Sequence, residues 1–234
     1  MTIVYIISAP SGSGKSTLVN ELRKTVSNLE FSVSYTTRPP RGSEQNGHEY
    51  FFISREEFKR LLAEKAFLEH AEVFGHYYGT ARRFLEEAQQ RRHDLLLDID
   101  VQGERQVKQA IPDALSIFIL PPTRQELERR LRRRSQAEGM MSEEVIQKRL
   151  ATAAREIENY RNYDYILVND QLEQSIDGLK AIVLAERARR TGGSRSAEEE
   201  KWLVTAGRHR QDNMCRALQP ILESFALSAT PGGR

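Results

Sequence analysis

Cysteine is nearly absent. Cys215 stands alone in 234 residues, so no disulfide can form within the chain and nothing points to secretion. No apolar run approaches the roughly 20 residues needed to cross a bilayer. The N-terminal apolar stretch, Ile3-Val4-Tyr5-Ile6-Ile7, has no basic leader, so it does not read as a signal peptide. The expected compartment is the cytoplasm, with no membrane partner. An excess of one charge is missing too: 35 Lys+Arg face 33 Asp+Glu, which argues against nucleic-acid binding through bulk charge. The five histidines are scattered without metal-ligand spacing, and no Ser-His-Asp or Cys-His constellation emerges. What is left is the composition of a globular chain, long enough for one substantial α/β domain with an appendage or for two small domains.

The stretch that organises the rest is Ala9-Pro10-Ser11-Gly12-Ser13-Gly14-Lys15-Ser16-Thr17. The β-branched run before it reads as a buried strand. Leu18, Val19, Leu22 and Val26 after it recur at helical spacing, which predicts a helix from Lys15 to about Val26. Strand, tight glycine loop and helix form the context in which a phosphate-binding loop has meaning. The first turn of a helix has N–H groups without internal partners and carries partial positive charge. Gly12 and Gly14 let the main chain close on an anion, Lys15 can reach the β- and γ-phosphates, and Ser16 can offer its hydroxyl to Mg²⁺. Ala9 departs from the general pattern, which starts with glycine. The loop alone implies a nucleoside triphosphate, not a particular reaction.

Phe31 to Tyr35 alternates and reads as a single strand with one buried face. The Pro- and Gly-rich loop from Thr36 to Gly47 holds Arg38 and Arg41, either an anion clamp or two solvated charges. Tyr50–Ile53 is a short strand, Ser54 to Glu57 a capping box opening a helix with Phe58, Leu61 and Leu62, and Phe67–Phe74 another alternating strand. After Gly75 comes Tyr77–Thr80, then a helix with Phe84, Leu85 and Ala88. These short strands between helices suggest a small mixed substructure inserted in a parallel-sheet protein. Leu95–Asp100 is a buried strand ending in acids. Carboxylates at the C-terminal end of such a strand are candidates for metal or substrate contact, although Asp100 also reads as a helix cap. Ile117–Leu120 is a further strand, and Thr123 caps a helix with Leu127 and Leu131. The run Arg129–Arg134 leads through a polar stretch into a helix starting at Ser142. A basic helix–loop–helix of this kind reads as a lid over the phosphate loop. Tyr165–Val168 is the last strand, and a helix runs from about Leu172 to Arg190.

Several motifs in this order resemble those of guanylate kinases of the bacterial and yeast type, from about Thr2 to Arg190. They are Ser8 to Ser16, Ser34-Tyr35-Thr36-Thr37-Arg38-Pro39-Pro40-Arg41, Asn46-Gly47-His48-Glu49-Tyr50, Phe67-Leu68-Glu69, Tyr77-Tyr78-Gly79-Thr80, Leu97 to Gly103, and Val168-Asn169-Asp170. The resemblance implies an α/β fold, a doubly wound parallel sheet of the P-loop kinase kind. Residues 1–190 would form the kinase-like domain, with core segments 1–33, 95–125 and 160–190, a GMP-binding insert at about 34–94 and a lid at about 126–159. Residues 191–234 would be a C-terminal extension.

The implied reaction is ATP + GMP ⇌ ADP + GDP, assisted by Mg²⁺, with dGMP as a second substrate. The resemblance assigns Ser34, Glu69 and Thr80, helped by Asp98, to the guanine base, and Arg38, Arg41, Tyr50 and Tyr78 to its phosphate. It assigns Asn169 to adenine, and Arg134 and Arg149, with Lys15 and Arg38, to the transferring phosphoryl group. Asp98 or Asp100 would reach the metal through water. The lid departs from the family in having Arg133 and Ser135 where glycines are usual, and in extra residues near Glu138 to Met141, which leaves Arg132 and Arg133 as rivals of Arg134. A non-catalytic module of the same fold, or a kinase of a sugar phosphate, are the alternative functions. Past Thr191, Gly192-Gly193 reads as a linker, Ser196 to Glu199 as a capping box, and Met214, Leu218, Ile221, Leu222 and Phe225 as an apolar stripe that Pro220 should kink or interrupt. The linker favours docking of that stripe on a second subunit over docking on its own domain, so a homo-oligomer is expected.

Overall fold

The computed structural model describes residues 2–73, 75–137 and 142–227. Phe74, at the end of an expected strand, and the extra lid residues Glu138 to Met141 lie outside them. In chain order the elements begin with β1 (Val4–Ser8), α1 (Lys15–Thr25), β2 (Leu29–Ser32), β3 (Tyr35–Thr36), β4 (Phe51–Phe52) and α2 (Arg55–Ala63). They continue with β5 (Phe67–Val73), β6 (His76–Ala81), α3 (Arg82–Arg91), β7 (Asp94–Asp98), α4 (Val101–Ala110), β8 (Leu115–Leu120) and α5 (Arg124–Ala137). The last are α6 (Glu143–Ile157), β9 (Tyr165–Val168), α7 (Leu172–Thr191), α8 (Ala197–Arg208) and α9 (Cys215–Ser224). Among the described residues no helix is long and apolar enough to cross a membrane. The chain divides into two compact units, Met1–Ser8 with Ser27–Ser116, and Ala9–Val26 with Ile117–Arg234.

In the first unit β7 pairs in parallel with both β1 and β2, in the registers Val4↔Leu95 and Leu29↔Asp94. Val4, Ile6, Leu95 and Leu97 pack with Leu68, Ala88 and Val107, which is how these strands come to be apolar along their length. A second, mixed sheet has the order β4-β3-β6-β5. The strand expected over Phe31 to Tyr35 is two strands. The chain leaves the parallel sheet at Ser32 and enters the mixed sheet at Tyr35, where Tyr35 pairs with Phe51 on one side and Gly79 on the other. Alternation is blind to this switch, because both pieces keep the same period. Ser54 caps α2 as expected, its hydroxyl accepting from the Glu57 N–H. Asp100 is the N-cap of α4, accepting from the N–H groups of Gln102 and Gly103.

In the second unit β8 and β9 are parallel, with Ile117 opposite Tyr165. Thr123 caps α5 through the Glu126 N–H, and α5 and α6 form a helical pair. The tail belongs to this unit. Its capping box is formed between Ser196 and Glu199, and the stripe of Met214, Leu218, Ile221, Leu222 and Phe225 is buried within the chain itself. This corrects the expected subunit contact. The cause is a second set of demands on the same segment. Among the described residues β9 has a neighbour strand, β8, on one side only, and on the other the backbone in and just before it takes tail partners: Ile166 N–H donates to His209 O at 2.8 Å, and Gln211 N–H to Asp164 O at 3.1 Å. The Ser224 hydroxyl accepts from the Arg124 N–H at 3.0 Å, satisfying a donor in the first turn of α5. Pro220 lies inside α9, which runs on through it rather than restarting.

Candidate active site

The second unit carries the phosphate loop. Gly12 and Gly14 take φ of 93° and 89°, a region where residues with a Cβ are strained. Gly14 is the N-cap of α1, with no side-chain cap and no acid in the first turn, so the positive end of the helix is not neutralised by a neighbouring carboxylate of that turn. Lys15 opens the helix and Ser16 is exposed beside it. The loop is braced from behind. Asn169, at the end of β9, donates from Nδ2 to Ser13 O at 2.8 Å, and a Cβ on Gly14 would lie 2.3 Å from that nitrogen. The structure thus brings Asn169, expected at adenine, against the loop backbone.

Arg130 joins the same brace, and was not among the expected site residues. Its Nη1 donates to Ser13 O at 3.3 Å, its Nη2 to Asn169 O at 3.0 Å, and its Nε to Glu126 Oε1 at 2.6 Å. Bonds from Arg129 and Arg130 hold the Glu126 carboxyl down to a pKa of about 2, so it is a fixed anion at this point. The signal in the sequence was its place between Leu127 and Leu131, the buried face of α5. Arg132 is committed elsewhere. It grips Glu143 of α6 with both terminal nitrogens, at 2.7 and 2.9 Å, as well as Glu128, and so ties α5 to α6. Arg134 is exposed on α5 and Arg149 half-buried on α6.

The first unit carries a second site, on one face of the mixed sheet. Tyr35 is opposite Gly79, which sets Ser34 across from Thr80, and Thr80 is the ladder partner of Glu69. Ser34, Thr80 and Glu69 therefore form a row, and all three are buried. Glu69 is 4% exposed, whereas Glu72 on the same strand is exposed. Burial raises the Glu69 pKa from 4.5 to about 7, with the Asp100 charge adding to the rise. The Thr80 hydroxyl lies close enough to oppose that shift, yet it forms no well-aligned hydrogen bond and is fully buried. A buried acid beside an unsatisfied hydroxyl is a costly arrangement that a ligand with matching donors would repair.

Along the same face lies Arg38, 5% exposed. Its two terminal nitrogens grip Glu44 at 2.9 and 3.0 Å, and its guanidinium lies 5.3 Å from the Tyr50 ring centre. Burial works against its charge, but bonds from Glu44 and Tyr78 outweigh that and leave its pKa raised. Glu44 also accepts from the Arg41 N–H at 2.8 Å, which fixes the loop while the Arg41 side chain stays exposed. Tyr50 and Tyr78 meet edge to face. Asp98 ends β7 half-buried, and Asp100 uses Oδ1 on the cap of α4. Of the two readings open for Asp100, the cap is the one the structure displays. Among the described residues no group of three or more His, Cys, Asp or Glu could hold a metal ion.

Comparison with known proteins gives consistent results. The family model described as guanylate kinase matches residues 1–186. A guanylate kinase from Koribacter versatilis is 57% identical over 228 residues, 97% of each chain. One from Escherichia coli is 51% identical over 188 residues, 80% of this chain and 89% of its own. Among solved structures, guanylate kinase from Anaplasma phagocytophilum superposes with a TM-score of 0.66 at 37% identity, covering 79% of this chain and 86% of that one. The fold is accordingly the α/β, mostly parallel fold of P-loop kinases.

Proposed function

This chain belongs to the guanylate kinase family, and we propose that it transfers the γ-phosphoryl group of ATP to GMP, binding ATP on the second unit and GMP on the first. The family makes the activity ATP-dependent GMP phosphorylation; the residue roles are our reading. Phosphoryl transfer is mostly positioning and charge neutralisation. The loop N–H groups and Lys15 take the ATP phosphates, with Asn169 and Arg130 holding the loop in shape. Arg134 and Arg149 supply further positive charge to the transferred group. The acceptor is already a phosphate monoester, so its oxygen attacks phosphorus without a general base, and ADP leaves with the electron pair of the broken bond.

On the first unit the ionised Glu69 accepts from guanine N1–H and the 2-amino group, while Ser34 and Thr80 complete the row. Arg38 and Arg41, flanked by Tyr50 and Tyr78, take the GMP phosphate. dGMP presents the same base edge and the same phosphate to this set and is the second substrate of the reading. Ser16 is an exposed hard oxygen donor at the start of α1, which fits Mg²⁺ carried in by nucleotide phosphates and holding most of its own waters. The ion would neutralise charge on the phosphates and orient them.

The observation that carries the assignment is the buried row of Ser34, Thr80 and Glu69 in a chain that keeps its phosphate-loop lysine. A binding module would need neither, and a sugar-phosphate kinase would need no base-reading row. A coupled assay with ATP and a panel of nucleoside monophosphates and sugar phosphates tests it. GMP and dGMP should turn over well ahead of the rest. Turnover of a sugar phosphate instead, or none of any acceptor, would overturn the reading.

A further inference from the structure

Among the described residues β5 has a neighbour strand on one side only. It is also irregular, with a register shift between Phe67 and Glu69. A bulge disrupts the ladder locally, right beside Glu69, yet this strand must hold a carboxylate to within a fraction of an ångström. On the open side of β5 a side chain of α4 bonds the strand backbone. Gln106 of α4 donates from Nε2 to His70 O at 2.7 Å and accepts at Oε1 from His70 N–H at 3.2 Å. The amide thus serves His70 as a facing peptide unit would, two hydrogen bonds on the residue next to Glu69.

The helix that carries Gln106 is itself seated on Glu69. Asp100 fixes its first turn, and three residues on, Gly103 forms a notch. A Cβ there would lie 2.4 Å from Glu69 Oε2. Positions 103 and 106 share a helix face, so notch and clip act on adjacent residues of β5. Gln102 O accepts from the same Nε2 at 3.3 Å and helps set its orientation.

We infer that Gln106 is a specificity-determining positioning residue, clipping β5 to α4 so that the Glu69 carboxylate is held on the guanine N1 and 2-amino edge. The inference rests on the base-reading role given to Glu69 above. Gln106 touches no substrate, and its effect passes through the backbone of His70. Gln106→Ala removes both bonds, and Gln106→Leu removes them while keeping bulk. Each variant should raise the GMP KM on the order of tenfold, the scale of one or two lost hydrogen bonds. The ATP KM and the kcat at saturating GMP should stay within about twofold, since the loop and Lys15 are untouched. The preference for GMP over inosine monophosphate, which lacks the 2-amino group, should shrink, because a misplaced carboxylate loses the second contact first.

Glu69→Gln is measured in parallel. If it keeps the full preference for GMP over inosine monophosphate, the reading of Glu69 fails and the role of Gln106 falls with it. If it loses that preference while both Gln106 variants keep the GMP KM and the preference of the unmodified protein, Gln106 alone is misassigned and merely protects an edge. A kcat and ATP KM that move together with the GMP KM would also overturn the proposal, as general damage to the fold.

Discussion

Glu69→Gln separates stability from function, because burial makes the wild-type carboxyl an unfavourable group in the folded chain. Its pKa is raised to about 7 from 4.5, first by burial and then by Asp100. Between those values the folded state holds a proton that the unfolded state has released. Stability is therefore fullest below pH 4.5 and declines as pH rises through 7, by about 3 kcal/mol at 1.36 kcal/mol per pKa unit. Glutamine keeps the volume and removes the ionisation. At pH 8 the variant should be the more stable by up to about 3 kcal/mol, roughly 6–12 °C in Tm for a chain of this size. At pH 4 the two proteins should melt together.

The same change should damage recognition. Guanine offers two donors, and the glutamine NH₂ meets one of them with a donor of its own. Loss of hydrogen bonds to a charged acceptor, about 1.5–3 kcal/mol each, should raise the GMP KM by about a hundredfold or more and narrow the margin over AMP, with the ATP KM unmoved. In the unmodified protein GMP should bind more weakly as pH falls below 7, because the protonated carboxyl is itself a donor, and in the variant that dependence should shrink to the part that protonation of the GMP phosphate contributes. Calorimetric melts at both pH values, with initial rates on GMP and AMP, test all of this. A variant no more stable at pH 8 than its parent, or one that still prefers GMP by the full margin, refutes the reasoning.

Lys15→Ala should keep the fold and lower kcat by at least about a hundredfold, the scale of 3 kcal/mol for one phosphate-directed charge; near-normal turnover of the purified variant would undo the enzyme assignment. Arg38→Ala and Arg41→Ala should each raise the GMP KM and leave the ATP KM alone, with Arg38→Ala also lowering Tm because it leaves Glu44 without its buried partner; an unchanged GMP KM in both would make them structural charges. A chain ending at Arg190 should lose stability, seen as a lower Tm and increased binding of a hydrophobic dye, since Leu218, Leu222 and the partners of β9 go with the tail; an unchanged Tm with a change in sedimented mass would restore the subunit-contact reading.

The parts of the site that were legible in the sequence are those in which neighbours in the chain do the chemistry. Strand, glycine loop, lysine and helix lie within one stretch, and the Asp100 cap is written two and three residues ahead of the N–H groups it accepts from. The base-reading role of Glu69 came from family resemblance. Alternation could only set it on the opposite face from Glu72, without saying which face is buried. Arg130 was hidden in a run of arginines for a different reason. Arg129 and Arg132 also have a glutamate three or four residues back, so the local pattern is shared, and its partner Ser13 lies 117 residues away. Gln106 is the same problem at a separation of 36.

The tail shows what an apolar stripe does and does not specify. Spacing in Met214, Leu218, Ile221, Leu222 and Phe225 says that one face is buried, and it is. It cannot name the surface that covers it, since any apolar surface lowers the free energy of that face alike. The destination is set by directional partners that the stripe does not contain: the Asp164 carbonyl and Ile166 N–H on the open side of β9, and the Arg124 N–H at the start of α5. Each needs a hydrogen-bonding partner, and each finds one beside the stripe: the His209 carbonyl, the Gln211 N–H and the Ser224 hydroxyl. A flexible glycine pair leaves the segment able to reach outward. Gly192 and Gly193, at φ of 66° and 92°, are equally able to turn the chain back, and the unpaired edge decides between the two.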